Sequence, residues 1–278
     1  MSADTIIING NVVTMEALAP RAEAIAIRDG RILRVGSTAD IRALATRSTR
    51  VIDAGGRLVL PGFQDTHIHL QDSGNNYGSN AVLDECRSVA ELQATLSAFA
   101  KKSSAPWVRG VGWYTGIFTD SNLTRQVLDT AVPDRPCYIL ASDGHNACMN
   151  SRACDTVGLV KGLPDPPNGH FVLDAAGAPT GMLHEDAIDW VMARMPAITE
   201  EEFADGVRFG QALCNTHGIT GVLDASVNAR HARVYQRLMD QDALTLRVAA
   251  TAKVEPHEDT KEALERVKAL RGAALLGG

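Results

Sequence analysis

The chain has 278 residues, of which 45% are hydrophobic and 22% are charged. This is the composition of a globular protein with a sizeable core, and it excludes collagen, low-complexity disorder and small disulfide scaffolds. Lysine and arginine number 27 against 33 aspartate and glutamate residues, so the formal net charge is −6. Because nucleic acids and anionic membranes attract basic surfaces, this balance predicts neither partner. No apolar run approaches the roughly 18 residues that a membrane span needs.

The amino terminus and the cysteines indicate a cytoplasmic protein. The opening MSADTIIING has no basic segment followed by an apolar one, so no export signal is predicted. The five cysteines contain no C-x-x-C pair, which argues against a cysteine zinc site and against a disulfide framework. A reducing compartment is therefore expected.

Residues 1–60 are predicted to form a small β-sandwich. The clearest signal is the pair Asp29-Gly30 between the strands Ala24–Arg28 and Arg31–Gly36, because both residues tolerate the positive φ of a two-residue hairpin turn. Turn residues also separate the other predicted strands, which are Thr5–Asn9, Val12–Met15, Val51–Asp53 and Arg57–Leu60.

Residues 61–278 alternate apolar strands with amphipathic helices. Capping boxes at Ser88-Val-Ala-Glu91 and Thr199-Glu-Glu-Glu202 predict two helix starts, and Gly218 is placed to end the second helix. Strand and helix alternation favours an α/β fold with a parallel sheet, either a barrel or an open doubly wound sheet. Five strands are predicted, at Leu58–Phe63, Trp107–Gly112, Cys137–Ala141, Ile219–Asp224 and Leu246–Lys253.

The run VLPGFQDTHIHL at residues 59–70 carries the candidate metal site. Side chains alternate along a strand, so His67 and His69 are predicted to share one face. Two imidazoles at the end of a strand suit a divalent metal, and zinc is the expected ion. Asp65 has the same parity and is predicted to orient one of the histidines. The alternative is that both histidines are ordinary surface residues, since two ligands do not complete a zinc site.

Five segments of the chain match a known sequence pattern. IINGNVVTM, IRDGRILRVG and LVLPGFQDTHIHL together resemble the opening of the amidohydrolase superfamily, and the later ILASDGHNACMNSRA and PTGMLHEDA are similar to the amidohydrolase-3 branch that includes N-substituted formamide deformylases. This resemblance implies a metal-dependent hydrolase with a (β/α)₈ TIM-like barrel beside a small β-sandwich, in which His67 and His69 bind the metal. The barrel would occupy residues 61–278.

Three further residues are candidate catalytic groups. His145 follows the strand Cys137–Ala141, and the resemblance implies that this loop lines the substrate pocket; an ordinary turn is the alternative. Glu185 could contact the metal or the substrate, or it could cap the helix that follows it. Asp224 ends a predicted strand at the edge where barrel enzymes place their sites. His231 is predicted to be solvated on a polar helix, and His257 stays open as a candidate.

The predicted barrel is incomplete. Only about five strands are predicted where a barrel of this type has eight. The resemblance implies a continuation with further ligands beyond the end of the chain, so the chain is interpreted as the amino-terminal half of such an enzyme. Its activity alone is in question, and unpaired strand edges favour self-association into a homo-oligomer.

The resemblance and the histidine pair together predict hydrolysis of a non-peptide C–N bond in a small amide or formamide through a metal-activated water. A metal-dependent phosphoesterase is a second hypothesis, because D-x-H-x-H also occurs in that class, although without a β-rich segment before it. A non-catalytic fragment or paralogue that keeps the fold is the third hypothesis.

Overall fold

The computed structural model describes residues 1–117, 123–254 and 258–273. The chain divides into two compact units, Met1–Phe63 and Gln64–Gly278. Each unit has its own core of buried apolar side chains. Within the described ranges, no helix has the length and apolar character needed to cross a membrane.

The first unit is mainly β, as predicted. A four-stranded sheet has the order β5-β4-β1-β6, and a three-stranded sheet has the order β3-β2-β7. Apolar side chains of β1 alternate between buried and half-buried positions, which places Ile6 and Ile8 in the core with Ile41 of α1. The elements are β1 Thr5–Ile8, β2 Asn11–Val13, β3 Arg21–Ala22, β4 Ala24–Arg28, β5 Arg31–Gly36, α1 Thr38–Arg42, β6 Arg50–Asp53 and β7 Leu58–Val59.

The hairpin of β4 and β5 has the predicted bounds and the predicted turn. The two strands pair antiparallel, with Ala24 opposite Gly36 and Arg28 opposite Arg31. Asp29 and Gly30 have φ values of 51° and 71°. Local chemistry determines this hairpin, because few residues other than glycine, asparagine and aspartate accept that backbone conformation.

The second unit contains two sheets with helices packed against them. The six-stranded sheet has the order β13-β14-β12-β11-β10-β9, and the three-stranded sheet has the order β16-β15-β8. Its strands are β8 Phe63–Ile68, β9 Ala81–Val82, β10 Val108–Trp113, β11 Cys137–Ala141, β12 Asn146–Met149, β13 Gly169–Leu173, β14 Pro179–Glu185, β15 Ile219–Asp224 and β16 Arg247–Ala250. Its helices are α2 Leu70–Ser79, α3 Val89–Lys102, α4 Arg125–Ala131, α5 Ser151–Val157, α6 Asp186–Met192, α7 Glu200–Thr216, α8 Ala229–Asp240 and α9 Thr260–Ala273.

The predicted helix starts are found. The Ser88 side chain accepts a hydrogen bond from the Glu91 amide at the start of α3. At the start of α7, Thr199 and Glu202 form both halves of a capping box. Gly218 has a φ of 74° directly after this helix, as a glycine that ends a helix should.

The sheet arrangement corrects the expectation of about five barrel strands in one parallel sheet. Strands β10 and β11 belong to the six-stranded sheet, where β12 pairs antiparallel with β11, whereas β8, β15 and β16 form the other sheet. The reason is the short connection Ser142–His145 between β11 and β12, since a parallel return needs a crossover of a dozen or more residues. Neither sheet closes on itself in the described part of the chain. The chain therefore has a mixed α/β fold.

Helices α2 and α7 pack with their backbones in contact. A methyl group on Gly74 would lie 2.1 Å from the Gly206 carbonyl oxygen, and one on Gly206 would lie 2.5 Å from the Asn75 nitrogen. Only glycine leaves room for such an approach. Since His69 directly precedes α2, this contact also positions the end of β8.

Candidate functional site

His67 and His69 lie together at the end of β8. Their ring centroids are 5.4 Å apart with the ring planes at 90°, and both residues are exposed. The alternation of a strand explains this arrangement, because Ile68 between them points elsewhere and packs against the core of the three-stranded sheet. The two imidazoles are therefore close and accessible to solvent, as a shared ligand would require.

The His69 ring is held by the loop after β15. Its Nδ1 lies 3.2 Å from the Ala225 carbonyl oxygen, and the Ala225 amide donates to the Ile68 carbonyl oxygen at 2.7 Å. A proton on Nδ1, donated to Ala225, leaves the lone pair of the imidazole on Nε2. Backbone carbonyls orient metal-binding histidines in this way.

Asp65 contacts the backbone of His67. Its Oδ1 accepts a hydrogen bond from the His67 amide at 2.9 Å, which is the short-range turn that aspartate forms readily. None of the hydrogen bonds and ion pairs of the described residues joins this carboxylate to an imidazole. The predicted orienting contact is therefore replaced by a local one that shapes the chain between the two residues.

The donor set at this site is partial. Zinc centres in proteins use three or four protein ligands, and imidazole nitrogens suit zinc and similar metals. No group of three or more histidine, cysteine, aspartate or glutamate side chains placed to hold a metal occurs in the described ranges. His67 and His69 are thus two candidate ligands, and a complete zinc site would need at least one more.

His145 and Glu185 form a second pair. His145 Nδ1 lies 3.0 Å from Glu185 Oε2, and the Glu185 amide donates to the His145 carbonyl oxygen at 3.1 Å. Asp143 Oδ1 accepts from the His145 amide at 2.8 Å and fixes the loop. The carboxylate leaves His145 Nε2 directed away from its partner, as in carboxylate–imidazole pairs that transfer protons.

The backbone at Glu185 is strained. Its φ and ψ are 51° and −127°, which is a glycine-like conformation. Although α6 follows directly, the Glu185 side chain makes no capping hydrogen bond and instead contacts His145. Helix capping therefore does not explain this residue. Such strain costs about 1–3 kcal/mol and is found most often at functional sites.

The pKa of the His145 imidazole is expected to depend on the neighbouring Glu185 carboxylate. The hydrogen bond that His145 donates to the Glu185 carboxylate raises the pKa of His145 above its ordinary value of 6.5, so the ring stays protonated to higher pH than a free imidazole. Glu185→Gln keeps the shape of the side chain and removes its charge, and it should lower the pKa of His145. Titration of the imidazole resonances by NMR measures this change. An unchanged titration curve in Glu185→Gln would show that the ion pair is absent in solution.

Asp224 lies inside the molecule. It is 2% exposed, its Oδ1 accepts from the Leu70 amide at 2.9 Å, and its Oδ2 accepts from the Tyr235 hydroxyl at 2.5 Å. Burial raises the pKa of this carboxyl, against the opposing effect of the two hydrogen bonds. Both oxygens are therefore engaged in holding the start of α2 and the side of α8. This geometry favours a structural role, and the predicted catalytic role stays a prediction.

The two pairs are separate in the described contacts. No hydrogen bond, ion pair or ring contact given for residues 1–117, 123–254 and 258–273 joins His67 or His69 to His145 or Glu185. The expectation for His231 is wrong, because this residue is 7% exposed and packs its ring against Phe203. His257 lies outside the described residues.

Three contributors to the site were not predicted from the sequence. They are the Ala225 carbonyl, the Tyr235 hydroxyl and the glycine contact between α2 and α7. The first two have no local signal, because a backbone carbonyl carries none and a lone tyrosine on a helix is usually core. The glycines do have one, since both helices carry G-x-x-x-G, at Gly74 and Gly78 and at Gly206 and Gly210.

Comparison with solved structures supports the observed fold. A metal-dependent hydrolase from Pyrococcus horikoshii OT3 matches with a TM-score of 0.70 and 20% identity, over 96% of this chain and 50% of that one. A metal-dependent hydrolase from Pyrococcus furiosus matches with a TM-score of 0.69 and 22% identity, over 96% of this chain and 52% of that one. The chain thus shares its fold with about half of each structure.

Sequence comparison identifies the family. The N-substituted formamide deformylase of Arthrobacter pascens is 32% identical over 243 residues, which are 84% of this chain and 44% of that protein. LONG AFTER FAR-RED 3 of Arabidopsis thaliana is 28% identical over 222 residues, or 80% of this chain and 38% of that protein. The chain spans less than half the length of these relatives. The model of the amidohydrolase family matches residues 50–277, and the chain therefore belongs to the amidohydrolase family.

Proposed function

We propose that this chain contributes part of the catalytic centre of a metal-dependent hydrolase that cleaves a non-peptide C–N bond in a small amide or formamide. The observation that carries the proposal is the exposed pair His67 and His69, with the Nδ1 atom of His69 directed at a backbone carbonyl. The similarity to a protein named N-substituted formamide deformylase supports the substrate class.

His67 and His69 would supply two ligands to one divalent metal, which we propose to be zinc. When bound, such an ion lowers the pKa of a coordinated water to about 7 and polarises a carbonyl group. The remaining ligands would come from outside the described residues. We propose that these ligands belong to a barrel of the kind that the family resemblance implies, which further strands would complete.

His145 and Glu185 are proposed to act on the substrate. His145 would hold or move a proton at Nε2, and Glu185 would position the ring through Nδ1 and stabilise its protonated form. Their exposure leaves room for a substrate, since the two side chains are 67% and 56% exposed. Asp224 is proposed to act through α2, by holding the helix that begins after His69.

The cellular setting is proposed from composition and cysteine chemistry. The net charge of −6 argues against a nucleic-acid or anionic-membrane partner, and the amidohydrolase family supports a small-molecule substrate. The five cysteines are free and buried, which suits a reducing cytoplasm. The open edges of both sheets support self-association into a homo-oligomer.

Metal binding tests the proposal directly. Equilibrium dialysis against zinc with elemental analysis should give up to one bound ion per chain, and His67→Ala and His69→Ala should each weaken binding by about 100-fold, because each removes one of two ligands. His217→Ala is the matched control, since its ring contacts the carbonyl of Leu213 at the end of α7. Equal zinc binding by all four proteins would refute the metal assignment.

Substrate panels distinguish the alternatives. Family membership favours amides over phosphate esters, so N-substituted formamides should be hydrolysed faster than phosphate monoesters if the chain is active alone. The partial donor set favours the non-catalytic alternative for the isolated chain. Zinc binding without hydrolysis of either substrate class would support that alternative and leave the metal site intact.

A further inference from the structure

A cavity of about 300 Å³ lies at the starts of β10 and β11. Arg109 and Tyr138 line it, and each is the second residue of its strand. His145 follows the opposite end of β11. Neither His145 nor Glu185 lines the cavity, so the cavity is distinct from the pair that they form.

Arg109 and Tyr138 project from the same face of the sheet. They are register partners on adjacent parallel strands, so their side chains are neighbours. Tyr138 is only 7% exposed, and its hydroxyl has no hydrogen-bond partner in the described protein. Burying a hydroxyl without a partner is unfavourable, and a ligand that accepts a hydrogen bond from it would remove this cost.

The Arg109 guanidinium has a hydrogen-bond partner but no ion-pair partner among the described residues. Its Nη2 donates to the Pro196 carbonyl oxygen at 2.7 Å, but no carboxylate forms an ion pair with it in the described part of the chain. Burial lowers the pKa of Arg109, against the attraction of Glu202, whose carboxylate is bonded to Thr199 at the start of α7. Because burying a charge without a counter-ion is unfavourable, an anion bound beside the half-buried Arg109 guanidinium would be stabilised.

The other walls are largely apolar. Leu140, Met192 and Phe203 line the cavity. The remaining charged groups are Arg230, whose guanidinium lies 4.6 Å from the Phe203 ring centroid, and Asp72, which lies 3.7 Å from His231 Nε2. Arg230 therefore lies against an aromatic ring and Asp72 beside an imidazole, whereas Arg109 contacts a backbone carbonyl oxygen.

We propose that this cavity binds a small monocarboxylate, with its carboxylate against the Arg109 guanidinium and the Tyr138 hydroxyl and its alkyl chain along the apolar walls. A carboxylate accepts hydrogen bonds from both donors, and charge-assisted bonds of this kind are the strong ones. The volume is at the lower end of the range for ligand sites, which suits a carboxylate with a short alkyl chain such as hexanoate. This site is independent of the proposed hydrolase function.

The test is an NMR titration of the whole chain with hexanoate and with hexan-1-ol, which has the same chain length and no charge. Hexanoate should shift resonances at the starts of β10 and β11 and bind about tenfold or more tightly than hexan-1-ol, as expected for hydrogen bonds to a charged group. Equal affinity of the two probes, no binding of hexanoate at millimolar concentration, or shifts confined to other elements would overturn the proposal.

Two variants locate the interaction. Arg109→Gln should abolish the preference for hexanoate and leave hexan-1-ol binding unchanged, whereas Tyr138→Phe should weaken hexanoate binding a few-fold. Arg233→Gln is the control, because this arginine is exposed and paired with Glu200. If Arg109→Gln fails to fold, Tyr138→Phe still decides the question, since it removes one unpartnered hydroxyl. If Tyr138→Phe and Arg109→Gln each bind hexanoate in preference to hexan-1-ol as strongly as the wild type does, the site is refuted.

Discussion

Gly74→Ala is expected to lower the free energy of unfolding of the second unit by about 3 kcal/mol. The added methyl group would lie 2.1 Å from the Gly206 carbonyl oxygen, so the backbones of α2 and α7 would have to separate. The gain in helix propensity from glycine to alanine is only about 1 kcal/mol and does not offset this clash. Urea unfolding followed by tryptophan fluorescence measures the loss, because the three tryptophans all lie in this unit, at Trp107, Trp113 and Trp190.

Gly78→Ala is the matched control on the same helix. The nearest atoms to its new methyl group would be side-chain atoms of the 42% exposed Phe209, at 3.0 to 3.3 Å, whereas the methyl group of Gly74→Ala meets backbone at 2.1 Å. The stability of Gly78→Ala should stay within about 1 kcal/mol of the wild type. If Gly74→Ala is as stable as Gly78→Ala, the helices do not approach as closely in solution. Gly74→Ala should also weaken zinc binding, because His69 directly precedes α2.

Asp224→Ala is expected to cost about 3 kcal/mol of stability. The change leaves the Leu70 amide and the Tyr235 hydroxyl without their acceptor in a buried place. Asp224→Asn is the informative comparison, because its amide oxygen still accepts from Leu70 and the cost should fall to about 1 kcal/mol. Chemical unfolding of the three proteins near neutral pH measures both values. Equal stability of Asp224→Ala and the wild type would contradict the structural role of this carboxylate.

The pH dependence of the same variants has a defined sign. Burial raises the pKa of the Asp224 carboxyl above its ordinary value of 3.8, so the folded protein holds this proton more tightly than the unfolded chain does. Stability therefore falls as the pH rises through the interval from 3.8 to the raised pKa, and the penalty is complete above it. Asp224→Asn lacks this ionisation. The wild type should lose stability relative to Asp224→Asn as the pH rises through that interval, and a constant difference would exclude a raised pKa.

Local signals in the sequence predicted individual strands, turns and helix starts better than they predicted how the strands are arranged in sheets. The hairpin at Ala24–Arg28 and Arg31–Gly36 has the predicted residues because its turn is determined by two neighbouring side chains. The capping box of Thr199 and Glu202 is equally local. The mixed sheet that contains β10 and β11 was not predicted, because β12 is only four residues long and was not recognised as a strand, although its short connection to β11 favours antiparallel pairing.

The sequence by itself determined that His67 and His69 would lie together, because the alternation of a strand acts between residues two positions apart. Only the tertiary structure decided what surrounds the two candidate pairs. Glu185 meets His145 across 40 residues, and Asp224 meets Leu70 across 154. Such contacts form when separate elements pack. The residue types along the chain reveal that the groups exist, and the folded arrangement assigns them to a loop, a helix start or the interior.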